Sequence, residues 1–428
     1  LLFTAQYDIL MRVMEDDPMN PIGVGGNQMS LVIQKFGGTS LATHESRERV
    51  VLRIEEATKK YDQVVVVVSA MGRLGAPYAT DTLLSLLETD GRHVDDREMD
   101  MLIACGEIIT TVVLSNALGS KGMKAQALTG GQSGIRTSSH FLEAHVDHVD
   151  TTRIKNILAQ GNIPVVAGFQ GMDIQGDTTT LGRGGSDTSA ALMGEALSAD
   201  VIEIFTDVDG IMTADPIVCK TAKLIDHISY NELFQMADGG AKVIHPRAVE
   251  VARRCGIPVM IKNTFSDAVG TTITHFNYIE KPITVNERII TSIAHRSGRI
   301  QFLVEGAIDD EIFFNDLAAQ NVSIDIINIF PGRRVFTTES MNKDKTIKLI
   351  EAYDVSFSYI DNCCKITVVG EKMTGVPGVM AKIISSLSKV GVQILQTADS
   401  LSTIACLIHD KDLEVAVFAL HETFGLHD

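Results

Sequence analysis

Positive charge is scarce in this sequence. Its 37 lysines and arginines face 54 aspartates and glutamates, a net charge of −17. Nucleic acids and anionic membrane surfaces both reward clustered Lys and Arg, so neither is an expected partner. A small anionic substrate remains allowed, because it feels only the local field. No Cys-x-x-Cys pair occurs among Cys105, Cys219, Cys255, Cys363, Cys364 and Cys406. The adjacent Cys363 and Cys364 could form a redox couple, but two buried thiols on one strand is the expectation. The cysteine usage fits a reducing, cytoplasmic compartment. No apolar run approaches a membrane span, and Val64–Val68 is too short for one. Residues 1–28 lack the basic start and apolar core of a signal peptide. They read as an upstream extension, with Met29 close to a natural start.

Several catalytic signatures are missing too. There is no Gly-x-Ser-x-Gly elbow and no Gly-x-Gly-x-x-Gly dinucleotide loop. His140, His145 and His148 cluster without a His-Glu-x-x-His pattern or a cysteine partner, so no metal site is expected there.

What is present is α/β order. With 428 residues, 45% of them hydrophobic, the chain can bury the cores of several domains. Continuous apolar runs recur at Leu31–Phe36, Val64–Ser69, Ile163–Phe169, Val201–Thr206 and Pro258–Lys262. Such runs suit a mainly parallel sheet covered on both faces. Helical patterns lie between them, as at Arg47–Thr58 and Met99–Ala117. The runs end in KFGGTS, SAMG, GFQG, TDVDG and KNTFS, so polar and Gly-rich sequence converges on the carboxyl edge where ligands sit.

Beyond about residue 285 a repeat appears at an offset of 70 residues. AIDDEIFFNDLAAQNVSIDII (307–327) aligns with PGVMAKIISSLSKVGVQILQ (377–396), matching Phe313 to Ile383, Leu317 to Leu387, Val322 to Val392 and Ile324 to Ile394. Each copy reads as strand, loop, amphipathic helix and strand. The pair is either a dimerisation platform or a ligand-sensing one; periodicity does not choose.

Four stretches carry chemistry. In QKFGGTS (34–40) the glycines let backbone amides approach phosphate, and the lysine places a mobile charge beside them. A Walker A loop has the reverse order. In TTTLGRGGSDTSAALMGEAL (178–197) a glycine loop feeds a helix N-terminus, an anion site. There Arg183 can grip a carboxylate and Asp187 can cap, orient or attract an amine. In FTDVDGIMTADP (205–216) three aspartates either bind Mg²⁺ through water or form turns. In GGAKVIHPRAVEVA (239–252) Lys242 sits in a Gly-led turn, and His245-Pro246 opens a helix. Glycine loops, lysines, an arginine and acids suit phosphoryl transfer, which needs positioning and charge neutralisation.

KFGGTS, GRGGSDTSA, FTDVDGIMTADP and GAKVIHPRA, in this order, resemble the amino-acid kinase fold and specifically the aspartate kinase family. The resemblance covers about residues 31–428, with the tail similar to tandem ACT modules. SAMGRLGAPYATDTLLSLL and QTADSLSTI resemble the single-function bacterial enzymes. It implies a kinase domain over 29–285 and ferredoxin-like ACT modules over 286–361 and 362–428. A strand at Ile290–His295 would be exchanged into the second module.

The resemblance also implies roles. Lys35 would neutralise the transferred phosphoryl group; Gly37, Gly38, Thr39 and Ser40 would form the phosphate loop. Ser69, Thr82, Glu107, Arg183 and Ser186 would surround aspartate, with Arg183 on its α-carboxylate and Glu107 near its amine. Asp187 would organise the reacting carboxylate. Thr206, Asp207, Met212 and Lys242 would contact ATP, supplied with Mg²⁺. Met212 stands where the family often has an aromatic residue, and Ile217 where it has an arginine. An amino-acid effector, lysine or meso-diaminopimelate before threonine, would bind near Met373, Val376 and Val379 with Asp325, Asn328, Asp399 and Ser400. A homodimer or higher homo-oligomer through the tail is expected. The alternatives are a silent amino-acid sensor or another kinase of the same fold.

Overall fold

The computed structural model describes residues 29–87, 94–241, 244–275, 289–371, 373 and 376–427. Lys242, residues 1–28 and the expected boundary at 285 lie outside the described residues.

β-branched runs without polar alternation need cover on both faces, and here they form the interior of an eight-stranded sheet. Its order is His227–Ser229, Thr271–Thr274, Val259–Asn263, Val201–Thr206, Leu31–Phe36, Gln63–Val68, Ile163–Ala167, Ala125–Leu128. From Val259–Asn263 to Ala125–Leu128 all neighbours are parallel; Thr271–Thr274 runs antiparallel to Val259–Asn263. Alternate residues feed opposite cores. Val32, Phe36, Val64, Val66 and Val68 pack under helices His44–Lys60 and Asp96–Ser120. Ile33, Val65 and Val67 pack with residues of Thr152–Ala159, Gly185–Leu197 and Pro246–Cys255. The chain builds the sheet first to one side of Leu31–Phe36 and then, from Val201, to the other. A crevice therefore opens beyond the carboxyl end of that strand.

One expectation needs correction. Helix Asp96–Ser120 is long and apolar enough to cross a membrane by length and composition. Its packing is that of a core helix: Ile103, Ala104, Leu114 and Leu118 are buried. Its buried Asp100 accepts hydrogen bonds from Thr180 and from Leu142 N–H (3.0 Å).

The tail forms one six-stranded antiparallel sheet, in the order Ile324–Phe330, Arg333–Glu339, Ser292–Glu305, Ser356–Val369, Thr403–His409, Gln396–Asp399. The two 14-residue strands serve both repeats. Ser292–Arg296 pairs with Lys365–Val369; past a bulge at Gly298, Arg299–Glu305 pairs with Arg333–Glu339. The repeat helices are Asp310–Ala319 and Val379–Lys389, and Phe313, Ile383, Leu317, Leu387, Val322 and Val392 are all buried. Cys363 and Cys364 are buried free thiols, each pushed up to about 11 by burial.

Candidate active site

The two glycine loops meet at the carboxyl end of the central strand. Lys35 Nζ lies 2.6 Å from Asp187 Oδ1, in the first turn of helix Gly185–Leu197. The side chains are only 11% and 15% exposed, so the pair is largely removed from solvent. A lysine that ends a buried strand can reach Asp187 because Leu31–Phe36 lies beneath that helix.

Gly38 is fixed by crowding: a Cβ there would meet Ala70 O and Gly72 O at 2.6 Å each. Gly37 donates its N–H to Phe205 O (3.2 Å), which leaves the Gly38 and Thr39 amides to open the first turn of Gly38–Leu41. Ser40 is buried, and its hydroxyl is bonded to Thr264 Oγ1 at 2.7 Å. It ties the loop to the end of Val259–Asn263 and does not face the crevice as an open donor.

In the second loop Gly182 and Gly184 have φ of 72° and 71°, the left-handed region that favours glycine. At Gly184 a Cβ would also meet the His245 side chain at 2.1 Å. Arg183 stands exposed between them. Ser186 is buried against Gly168, where a Cβ would come within 2.9 Å of it. His245, N-cap of Pro246–Cys255, is held below the usual imidazole range by burial, with Asp187 pulling the other way. The sequence marked His245 only as a helix opener; nothing in its spacing told of the contact with Gly184.

Glu107, in the middle of helix Asp96–Ser120, points an acid into this region. Its Oε1 accepts from Ala70 N–H (3.0 Å), directly after Ser69, while Oε2 is buried without a partner. Burial pushes the carboxyl up to about 8. Ser69 is half-buried; Thr82 accepts at Oγ1 from Gly75 N–H (2.9 Å). A buried acid and two hydroxyls thus lie along the segments that follow strand Gln63–Val68 and on the helix packed beneath it.

On the other side of the central strand lie Thr206 and Asp207. Thr206 accepts from Val208 N–H and Asp207 pairs with exposed Arg73 at 3.0 Å, a contact worth little by itself. The three aspartates do not converge. Asp209 takes Asn263 Nδ2 and Ser266 Oγ, and Asp215 caps Ile217 N–H. Asp209 and Asp215 are thus both engaged in loop and turn hydrogen bonds. Met212 is half-buried in a short pairing with Leu224, and Ile217 is exposed.

The residues expected at the effector site differ in their surroundings. Met373 and Val379 are buried in the tail's core, and Val376 is exposed. Asp325 is paired with Lys365 at 2.6 Å and Asn328 Oδ1 accepts from Gln396 Nε2 at 2.7 Å. Ser400 closes a turn on Thr403. Asp399 and Ser400 are exposed, whereas Asp325 and Asn328 are half-buried. Among the described residues the one group with metal-ligand proximity is His421, Glu422 and His427, not the 140–148 histidines.

The profile of the amino acid kinase family matches residues 30–263, and that of the ACT domain residues 358–422. Aspartokinase 1 of Bacillus subtilis is 44% identical over 406 residues, spanning 93% of this chain and 100% of that protein. The aspartokinase of Geobacillus stearothermophilus is 36% identical over 409 residues, spanning 93% and 98%. The aspartate kinase structure of Clostridium acetobutylicum superposes with a TM-score of 0.75 at 24% identity, covering 92% of this chain and 100% of that one. Escherichia coli aspartokinase III, solved with aspartate and ADP, gives 0.73 at 24%, covering 92% and 99%. At that identity the two structures speak for the fold alone.

Proposed function

The chain belongs to the aspartokinase family and is an aspartate-phosphorylating enzyme, and from that premise we propose the following site, mechanism and regulation. The substrates are L-aspartate and Mg·ATP, and the product is 4-phospho-L-aspartate. The observation that carries this reading is the Lys35–Asp187 contact, which joins the phosphate-type loop to the carboxylate-type loop.

Aspartate sits with its α-carboxylate in the fork of Arg183 and its ammonium on the unpartnered oxygen of Glu107. Ser69, Thr82 and Ser186 close around it. Its side-chain carboxylate is then aimed past Asp187 at the γ-phosphorus. The ATP phosphates lie on the Gly38 and Thr39 amides, Thr206 and Asp207 border the nucleotide, and Met212 packs on its base. A carboxylate oxygen attacks the γ-phosphorus, the bond to the β,γ-bridging oxygen breaks, and its electron pair leaves with ADP. No proton has to move. Lys35 draws off charge as it spreads over the phosphoryl oxygens, the electrostatic work this chemistry requires. Mg²⁺ enters as part of the nucleotide, consistent with the separate engagements of Asp207, Asp209 and Asp215.

The reading extends to the kinase domain at 29–285 and ACT modules at 286–361 and 362–428. It includes a homodimer through the tail, a cytoplasmic setting, and feedback by an end product of lysine, threonine or methionine synthesis. Lysine or meso-diaminopimelate is the first choice. The test is ATP consumption with aspartate, trapped as the hydroxamate, with glutamate and acetylglutamate as controls. No aspartate-dependent turnover would overturn it.

A further inference from the structure

The hairpin that carries Met212 is built into the core of the tail. Its stems are paired by Thr213 N–H to Lys223 O and Ile225 N–H to Ile211 O, each 2.8 Å. Its tip, however, does not pack on the kinase sheet. Ala214 and Cys219 are buried in one apolar cluster with Ile290, Ile293, Ile366, Val368, Ala416, Val417 and Leu420. Ile293, on the strand shared with the second repeat, donates its N–H to Thr213 O (2.8 Å) and bridges Ala214.

His421 completes the attachment. It lies in helix Leu413–Thr423 and is fully buried. Its Nε2 is 2.9 Å from Thr213 Oγ1 and its Nδ1 is 3.2 Å from Thr221 Oγ1. Thr213 Oγ1 already accepts from Lys223 N–H (2.9 Å), so its proton is available to Nε2. A neutral imidazole can then accept on one side and donate on the other. One ring thereby pins both stems of the hairpin, on either side of its tip. The same shared strand also presses on the other nucleotide-side turn: a Cβ at Gly240 would come 2.2 Å from His295 O, and one at Gly239 2.9 Å from Ala294 Cβ.

The geometry points to His421 as a positioning residue for the nucleotide. Through Thr213 and Thr221 it fixes the height of Met212 over the base site, so the placement of the last helix of the tail sets affinity for ATP and not for aspartate. The inference rests on the nucleotide side assigned above. It touches none of the residues around Lys35, Glu107 or Arg183.

The test is steady-state kinetics and direct ADP binding by calorimetry on the full chain. His421→Leu removes both hydrogen bonds to the hairpin. It should raise the KM for ATP and weaken ADP about fivefold or more, with the KM for aspartate within about twofold. His421→Gln, which places an amide near the Nε2 position, should recover most of the loss. If His421→Leu does not fold, Thr213→Val keeps the shape, removes the hydroxyl, and should give the same ATP-selective shift. Equal shifts for both substrates, or unchanged ADP affinity in folded variants, overturn the inference. A wild-type chain that binds ADP but shows no aspartate-dependent turnover overturns the proposed activity instead, and the ADP measurements still decide the role of His421.

Discussion

Lys35 and Asp187 form an ion pair of 2.6 Å between two glycine loops that are about 150 residues apart in sequence. The pair has two separable jobs. It holds the second loop over the end of the central strand, and in the proposed mechanism it keeps a cation where phosphoryl charge develops. Lys35→Ala should cut kcat about a hundredfold or more, about 3 kcal/mol of transition-state stabilisation. It should also lower Tm, because Asp187 is left mostly buried and unpaired. Lys35→Ala with Asp187→Ala should regain part of the Tm and none of the turnover. Near-normal turnover in the single variant would remove Lys35 from the chemistry.

Arg183 is exposed between two glycines that no other residue could replace without strain. In the proposed site its guanidinium forks the α-carboxylate of aspartate. Arg183→Lys should raise the KM for aspartate far more than that for ATP, since lysine does not reproduce a bidentate grip. A parallel rise in both would assign Arg183 to the phosphates.

Glu107 makes a prediction about protons. Burial raises its carboxyl to about 8, with the Ala70 N–H pulling only partly against it; its ordinary value is 4.5. Between those values the native state keeps a proton that the unfolded chain has lost. Its contribution to stability is therefore full below about 4.5 and lost as pH rises through about 8. An ammonium placed on the carboxyl favours the ionised form. Aspartate binding near about pH 7 should then release up to about one proton per chain, read by calorimetry in buffers of different ionisation enthalpy. Glu107→Gln should abolish the release and weaken aspartate. No release in the wild type would take the amine elsewhere.

The parallel strands were legible because burial on both faces leaves an unbroken apolar run: Leu31–Phe36 and Val201–Thr206 fall where the pattern puts them. Short strands such as Ile135–Thr137 and Thr178–Thr180 carry no such run; three residues are too few to show a pattern, although each has a partner nearby in sequence. Site residue types were legible where glycine is forced, as at Gly38 and Gly184. What the sequence could not tell was which polar groups answer each other. Ser40 turns to Thr264, Asp325 to Lys365 and His421 to two threonines, pairings set by tertiary approach that leave no spacing to read.

The edge strand Ile324–Phe330 leaves Ile327, Ile329 and Phe330 exposed. An apolar edge of this kind is a template for a second chain, and a two-fold axis would pair it with its own copy. If the proposed dimer forms through this edge, Ile329→Lys with Phe330→Lys should shift it to monomer in sedimentation at about micromolar concentration. A wild type already monomeric there, or a variant still dimeric, would move the interface off this edge.

Asp325 lies near the start of strand Ile324–Phe330 and Asp399 at the end of strand Gln396–Asp399, and their surroundings divide their roles. Asp325 neutralises Lys365, whose side chain is 8% exposed, and lies 3.7 Å from Arg299, whose side chain is 4% exposed. Removing it strands the buried Lys365 and leaves Arg299 with Glu339 at 3.9 Å, so Asp325→Ala should destabilise the tail by about 3 kcal/mol, the low end for a broken buried pair because Asp325 itself is partly solvated. Asp399 is exposed at the end of its strand, and its loss should leave Tm within a degree or so of the wild type. If an effector's amine is taken by Asp399, Asp399→Ala relieves inhibition at unchanged uninhibited turnover. If it is taken by Asp325, the effector must first displace Lys365, and Lys365→Met should bind it more tightly. Thermal melting of the three variants with and without lysine or meso-diaminopimelate separates these outcomes. A ligand-induced rise in Tm that is lost only in Asp399→Ala supports the exposed site, and one that is enlarged in Lys365→Met supports the buried one. A wild-type Tm that neither amino acid moves removes both from the regulation of this chain.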